Sequence, residues 1–153
     1  MQALSRDIED IECKLALWKK EDAAAKRLMA IPGVGLLTAT AAVATIGDAT
    51  VFKNGRQFAA FLGLVPRQAG TGGKVRLFGI SKRGDTYLRK LLIHGARSVI
   101  THQKARAPWL EQLLARRPFN AAVVALANKM ARTIWALLAH DRTYQNGVTA
   151  QAA

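Results

Sequence analysis

The sequence predicts a mainly α-helical protein. Apolar residues recur at three- and four-residue steps through most of the chain, only four prolines occur in 153 residues, and 74–78 is the only strand-like run. We expect a long N-terminal coiled-coil-like helix (1–30), then a compact helical domain (31–142) with a tight glycine turn and a small basic loop or hairpin, and finally a polar tail (143–153).

The first helix is predicted over about 3–30, because Leu4, Ile8 and Ile11 open a helical apolar stripe that no glycine or proline interrupts. A helix of this length at the start of a small domain often packs against a partner helix. We therefore expect either a coiled-coil arm, which would make the protein a homo-oligomer, or a linker.

The remaining helices are predicted from their apolar spacing and their end signals. One covers 36–46, and another covers about 55–62 with Asn54 as its N-cap. A third follows Asp85 to about residue 101. Pro108 begins a short fourth helix, and Asn120 is expected to cap a last one that reaches about residue 140.

The charge of the chain is strongly one-sided. Residues 1–50 contain 6 Lys or Arg and 7 Asp or Glu, a net charge of −1, whereas residues 51–153 contain 17 and 3, a net charge of +14. An excess of this size in a globular segment indicates a polyanionic partner, with nucleic acid ahead of a membrane. The alternative is a basic surface that only keeps the protein soluble.

Compartment and membrane signals are few. The single cysteine, Cys13, allows no internal disulfide and no multi-cysteine zinc site, which fits a reducing compartment. The N-terminus has no apolar signal region, and the C-terminal apolar stretch is broken by Lys129 and Arg132. We expect a cytoplasmic protein with no membrane partner.

The segment Ile31-Pro-Gly-Val-Gly35 predicts a tight turn between two helices. Gly33 and Gly35 permit backbone angles that would be strained in other residues. They also leave N–H groups without an acceptor at the start of the next helix, where a phosphate oxygen can bind. The spacing is typical of a helix-hairpin-helix, which binds DNA backbone without reading sequence. A plain turn between packed helices is the alternative.

The second candidate segment is a basic track from 67 to 97, in which eight cations are opposed by Asp85 alone. Its glycines let backbone approach a ligand, and Lys90, His94 and Arg97 share one helix stripe. Salt-dependent phosphate binding is expected. With the turn, the candidate DNA-binding residues are Gly33, Gly35, Arg67, Gly72, Gly73, Lys74, Arg76, Lys82, Arg83, Arg89, Lys90 and Arg97.

A catalytic centre is harder to find in the sequence. The carboxylates cluster in the first helix or stand alone, and the histidines lack metal-ligand spacing, so no metal site is predicted. Three hydroxyls in the basic region could act as a nucleophile: Thr71, Ser81 or Tyr87. Each also has an ordinary structural explanation, as a loop residue, a turn residue and a packing residue in that order.

Eight short motifs occur in the sequence in the order in which one protein family has them. From about residue 28 to residue 140, the chain resembles the C-terminal domain of the IS110/IS116 group of insertion-sequence transposases, relatives of the Piv DNA invertase. The motifs are Ile31-Pro-Gly-Val-Gly, Ile46-Gly-Asp, Phe52-Lys-Asn-Gly-Arg-Gln, Leu62-Gly-Leu-Val-Pro-Arg-Gln, Thr71-Gly-Gly-Lys, Gly79-Ile-Ser-Lys-Arg-Gly-Asp, Tyr87-Leu-Arg and His94-Gly-Ala-Arg.

The resemblance implies DNA transposition by a serine nucleophile in this domain, DNA as a partner and a structured guide RNA. It also implies a RuvC-like domain with four acidic metal ligands. That domain has no counterpart in this sequence, so the chain is expected to be N-terminally truncated, inactive alone and without a cofactor of its own, with Mg²⁺ bound only by the RuvC-like half.

The family pattern departs from this sequence at the nucleophile. Many members have Ser-Ser-Gly-Gly-Lys where this chain has Gly70-Thr71-Gly72-Gly73-Lys74. The resemblance therefore makes Thr71 the candidate catalytic residue, with Ser81 as the fallback. The alternatives are an inactive remnant and a non-catalytic helix-hairpin-helix module that only binds DNA.

Overall fold

A computed structural model describes residues 2–71 and 73–145 of the chain. Within these ranges the chain forms seven α-helices and one small two-stranded sheet, and this confirms the predicted mainly α class. The elements are α1 (Gln2–Glu21), α2 (Ala23–Leu28), α3 (Leu36–Ile46), a 3₁₀ turn (Ala49–Val51), α4 (Gly55–Phe61), β1 (Pro66–Thr71), β2 (Lys74–Ile80), α5 (Thr86–His102), α6 (Pro108–Arg116) and α7 (Phe119–Ala139).

The prediction of one continuous helix over 3–30 is wrong, because the helix is interrupted at Asp22. Asp22 has extended backbone angles, and its side chain accepts hydrogen bonds from the N–H groups of Ala24 at 2.7 Å and Ala25 at 3.2 Å. A short carboxylate side chain competes in this way for backbone donors, which ends α1 and begins α2 without a glycine or proline.

The hydrophobic core is centred on α7, which packs against α2, α4, α5 and α6. Fully buried side chains from four elements meet there, including Leu28, Phe58, Leu92 and Ile134. Leu28 and Ala25 bring α2 into the core, whereas α1 exposes its apolar residues Leu4, Ile8 and Ile11. The core therefore begins before residue 31, the predicted start of the compact domain.

Two of the three predicted side-chain caps are confirmed. Asn54 Oδ1 accepts from the N–H of Gln57 at 2.9 Å at the start of α4, and Asp85 Oδ1 accepts from the N–H of Leu88 at 2.8 Å at the start of α5. The third is wrong, because α7 begins at Phe119 behind Pro118. Asn120 instead accepts a hydrogen bond from Arg97.

The glycine-rich segment after α4 forms a β-hairpin rather than an irregular loop. β1 and β2 pair antiparallel from Pro66 opposite Ile80 to Thr71 opposite Lys74, with a bulge between Pro66 and Gln68. Almost every described side chain in both strands is exposed, so the hairpin projects from the helical body. Predicted residue Gly72 and tail residues 146–153 lie outside the described residues.

Candidate nucleic-acid interface

The turn between α2 and α3 has the predicted helix, turn and helix arrangement. The N–H of Ile31 donates to Leu28 O and the N–H of Val34 donates to Ile31 O, both at 3.0 Å, which closes the turn. Gly35 then provides extended backbone at the N-cap of α3 and makes no side-chain cap. The first N–H groups of α3 therefore donate no hydrogen bond to an N-cap side chain and can donate to a bound anion.

The two glycines of the turn have different environments. Gly33 has φ +83, and a β-carbon there would lie 2.7 Å from Gly95 O and 2.8 Å from a methyl of Val99. Gly35 has no atom within 4 Å of the same position. Gly33 is therefore explained by close packing against α5, whereas Gly35 borders open space that a ligand could enter.

A groove of about 930 Å³ joins this turn to one side of α5. Gly33 and Gly35 line it from the turn, and His94 and Ser98 line it from α5. Lys90, His94 and Arg97 are exposed on α5, and Arg97 donates to Asn120 Oδ1 at 3.2 Å. The fold thus brings the turn and part of the predicted basic stripe to one surface.

The β-hairpin has one basic face and one apolar face. The guanidinium of Arg67 lies 5.5 Å from the ring centroid of Phe78, which places both on the same side. Because side chains alternate along a strand, Lys74 and Arg76 share the side of Phe78. We call Arg67, Lys74, Arg76 and Phe78 the basic hairpin face.

The opposite face of the hairpin carries exposed Val75 and Leu77, at 65% and 64% exposure. Phe78 is not among the residues predicted for the interface. The sequence does carry a signal for it, since an aromatic residue between cations in a glycine-rich segment is typical of nucleic-acid contact.

The tip of the hairpin carries the candidate nucleophile. Thr71 is the last residue of β1 and its backbone pairs with Lys74, although its side chain lies outside the described part of the structure. Gly73 follows with φ +81 and no atom near its β-carbon position. A residue at this tip is therefore next to the basic hairpin face and away from the core.

Ser81, the fallback nucleophile, lies at the base of the hairpin. Its N–H donates to Val65 O at 2.9 Å, and its hydroxyl oxygen accepts from the N–H of Arg83 at 3.5 Å. Lys82 follows with φ +56, a left-handed conformation, and its N–H donates to Gly63 O. Ser81 is half-buried in this connection, so its hydroxyl already has a structural role.

Arg89 does not fit its predicted contact with DNA. Its side chain is 7% exposed, and one guanidinium nitrogen donates to Leu62 O at 3.0 Å and to Arg83 O at 2.9 Å. A second nitrogen donates to Thr86 Oγ1 at 3.2 Å. Arg89 therefore joins the end of α4 to the base of the hairpin, and its neighbours Lys82 and Arg83 remain exposed.

Four carboxylates in and next to the compact domain have structural partners. Asp22, Asp48 and Asp85 each cap a helix or 3₁₀ turn, and the side chain of Asp141 pairs with Arg27. Among the residues that the structure describes, no three His, Cys, Asp or Glu side chains are grouped so as to hold a metal ion. These residues do not fit a magnesium site.

Comparison with known proteins decides the family. The model of the transposase IS116/IS110/IS902 family matches residues 25–110, which is more than half of the chain. The chain belongs to this transposase family. The match includes the α2–α3 turn, the hairpin and all of α5, and it confirms the resemblance seen in the motifs.

Named relatives agree with the family model. The chain is 52% identical over 151 residues to a probable family 20 transposase of Pseudomonas aeruginosa, covering 96% of the chain and 45% of that protein. It is 48% identical over 152 residues to the transposase of insertion sequence element IS1111A of Coxiella burnetii, covering 95% and 42%. A transposase of element IS1328 from Yersinia enterocolitica is 44% identical over 136 residues, covering 86% and 41%.

The chain spans less than half the length of these relatives. Within the described residues, α7 alone is long and apolar enough to cross a membrane by length and composition. Seven of its residues, among them Val123 and Ile134, are buried in the core of the transposase domain. Core packing accounts for the composition of this helix.

Proposed function

We propose that this transposase domain binds DNA of the insertion sequence and presents the hydroxyl of Thr71 to one of its phosphates. The observation that carries the proposal is the position of Thr71 at the tip of a projecting hairpin, directly opposite Lys74 in the strand register. A nucleophile beside cations that can hold a phosphate is what phosphoryl transfer requires.

Duplex binding is proposed at two surfaces. The basic hairpin face holds phosphates by Arg67, Lys74 and Arg76, while the uncapped start of α3 offers backbone N–H groups beside Gly35. Lys82, Arg83, Lys90 and Arg97 extend the positive field along the base of the hairpin and α5. These contacts fix the domain on DNA without reading its sequence.

The proposed chemical step is a transesterification. Thr71 Oγ forms a bond to phosphorus, the bond from phosphorus to the 3′ oxygen breaks, and the product is a 5′-phosphothreonine and a free 3′ hydroxyl. The hydroxyl proton of Thr71 passes to a base supplied by the other half of the protein or by a second chain, and the departing 3′ oxygen takes up a proton from water. The extra methyl group of threonine slows the attack relative to the serine of the family pattern.

The proposal includes partners that the chain itself does not supply. A RuvC-like unit, in the same protein or in a second chain, contributes acidic groups and Mg²⁺. A guide RNA selects the DNA target. The protein acts in the cytoplasm. The exposed stripe of α1, with Leu4, Ile8 and Ile11, joins copies of the protein into an oligomer.

Cleavage and covalent-adduct assays on DNA from the ends of the element test the chemistry. Wild type, Thr71→Ala and Thr71→Ser are compared, each with and without an intact relative that supplies the other half. We expect a 5′-linked adduct from wild type, more adduct from Thr71→Ser and none from Thr71→Ala. If the adduct persists in Thr71→Ala and disappears in Ser81→Ala, the nucleophile is Ser81.

Duplex binding is tested separately by its salt dependence. Arg76→Gln removes one phosphate contact, so the slope of log K against log salt should fall by about 0.9. Lys104→Gln is the matched control, because Lys104 is exposed but lies on neither proposed surface. Salt-sensitive binding with no adduct from any variant supports the second candidate function, a non-catalytic DNA-binding module. Binding that is indifferent to salt overturns both.

A further inference from the structure

A second cleft lies away from the hairpin and from the α2–α3 turn. It is enclosed by the start of α4, by α6 and α7, and by the segment 141–145, and its volume is about 970 Å³. That volume falls at the upper end of the range of about 300–1,000 Å³ in which small ligands bind. Cations and aromatic rings line it together: Arg56, Lys129, Arg132, Trp109, Trp135 and Tyr144.

Two of these cations interrupt the most apolar long helix of the protein. Lys129 and Arg132 are half-buried on α7, one helical turn apart, where burial against the core would favour an apolar side chain. The ammonium of Lys129 lies 4.4 Å from the ring centroid of Trp109, a cation–π contact. Both positive charges line the cleft.

The electrostatics of the cleft favour an anion. Burial lowers the pKa of Lys129, and the positive charge of Arg132 lowers it further. The one carboxylate that lines the cleft within the described residues, Asp141, is paired with Arg27 from α2. A bound phosphate would offset the cost of burying the ammonium of Lys129 beside the positive charge of Arg132.

The aromatic residues give the same cleft flat apolar surfaces. The indole N–H of Trp135 donates to Ala49 O at 3.0 Å, which fixes its ring between α7 and the 3₁₀ turn. Tyr144 is half-buried, and this burial raises the pKa of its hydroxyl. A groove that combines cations with aromatic rings is typical of proteins that hold single-stranded nucleic acid.

We propose that this cleft binds an unpaired nucleotide, with its base against the aromatic side chains and its phosphate between Lys129, Arg132 and Arg56. A concave site of this volume admits a base that has left a duplex, whereas the rod-like duplex suits the projecting hairpin. DNA and RNA share the chemistry that the cleft recognises. The site goes beyond the proposed duplex binding and does not depend on the hydroxyl of Thr71.

Six-nucleotide oligomers labelled with fluorescein test the proposal by fluorescence anisotropy with the full chain. The probes are oligo-dT, oligo-rU and an abasic oligomer with the same phosphates and no bases. We expect at least one of the first two to bind about tenfold more tightly than the abasic oligomer, because stacking supplies about 1–3 kcal/mol per base. Whichever sugar binds more tightly identifies the source of the nucleotide.

Variants locate the binding. Trp109→Leu should lose about tenfold in affinity for the preferred oligomer, while Trp109→Phe should retain most of it, since a ring remains beside Lys129. Lys129→Gln should reduce the salt slope by about 0.7, the value for one phosphate on a single strand. Lys104→Gln, an exposed cation outside the cleft, is the matched control and should bind as wild type does. Thermal unfolding of each variant establishes that it is folded.

The outcome is distinguishable from that of the proposed duplex binding. Arg76→Gln should weaken duplex binding and leave oligomer binding within about twofold, whereas Lys129→Gln should do the reverse. Equal affinity for the abasic and base-containing oligomers overturns the proposal, because a bare anion site would then suffice. Oligomer binding that is lost in Arg76→Gln and unchanged in folded Trp109→Leu and Lys129→Gln also overturns it.

Discussion

Gly33 and Gly95 bring the α2–α3 turn and α5 into backbone contact. A β-carbon on Gly33 would lie 2.7 Å from the carbonyl oxygen of Gly95, and a β-carbon on Gly95 would meet the carbonyl oxygen of Gly33 even more closely. The obstructing atoms are backbone on both sides, so neither can move as a flexible side chain would. This contact fixes the start of α3 against the stripe that carries His94.

Gly95→Ala is therefore expected to destabilise the fold. Alanine gains about 1 kcal/mol over glycine in a helix interior, but the backbone clash costs more than this gain. We expect a net loss of about 2 kcal/mol in the free energy of unfolding, measured by urea denaturation. Gly79→Ala is the control, since no atom lies within 4 Å of its β-carbon position. An unchanged urea midpoint for Gly95→Ala contradicts the close approach.

Arg89 and Lys90 are adjacent cations that should give opposite phenotypes. Arg89→Gln removes hydrogen bonds to the carbonyls of Leu62 and Arg83, which are worth about 1.5–3 kcal/mol when the donor is charged. We expect it to lower the free energy of unfolding by about that amount. Lys90→Gln changes an exposed side chain and should leave stability within about 0.5 kcal/mol.

The salt dependence of duplex binding should also differ between the Arg89→Gln and Lys90→Gln variants. Under conditions in which both variants are folded, Lys90→Gln should lower the salt slope by about 0.9 and Arg89→Gln should leave it unchanged. Urea denaturation and anisotropy on a labelled duplex measure the two effects. If Arg89→Gln had the stability of wild type and a salt slope lowered by about 0.9, Arg89 would be a DNA-contacting residue.

Much of the helical framework could be predicted because local chemistry determines it. Asn54 and Asp85 begin helices with side-chain caps, and Pro108 begins α6 at the expected residue. The failures at Asp22 and Asn120 have one cause. An Asp or Asn can cap a helix, continue it or bond to a distant side chain, and only the tertiary contacts decide among these.

The interface was harder to predict than the framework. A charge count places Arg89 with its exposed neighbours, because one sequence position does not show whether a long side chain points inward or outward. The cleft that contains Lys129 and Trp109 is built from segments far apart in the chain. Its sequence signal is the presence of two cations, Lys129 and Arg132, in an apolar helix, a pattern that also argues against a membrane span.

Asp22→Ala should destabilise the start of α2. The carboxylate accepts two backbone hydrogen bonds, and loss of an N-cap of this kind costs about 1 kcal/mol. Asp22→Asn keeps an acceptor oxygen and should retain most of the stability. Urea denaturation of the two variants beside wild type measures the difference. Equal losses in both would show that the charge of Asp22, and not its capping oxygen, stabilises this end of the helix.

The titration of Asp48 offers a test of the 3₁₀ turn that follows α3. Its carboxylate accepts from the hydroxyl of Thr50 at 2.6 Å and from the N–H of Thr50 at 2.9 Å, and these bonds lower the pKa of Asp48, the hydroxyl contributing most. A lowered pKa in the folded state means that the stabilisation is complete above the ordinary aspartate value of about 3.9 and is lost as the pH falls below it.

Thr50→Val should therefore raise the pKa of Asp48 toward its ordinary value, while Thr50→Ser, which keeps the hydroxyl, should leave it low. NMR titration of the Asp48 side-chain carboxyl measures both. Because the backbone N–H of Thr50 still donates in the valine variant, part of the depression should survive there. Identical titration curves for the valine and serine variants would show that the hydroxyl of Thr50 does not hold the carboxylate in solution.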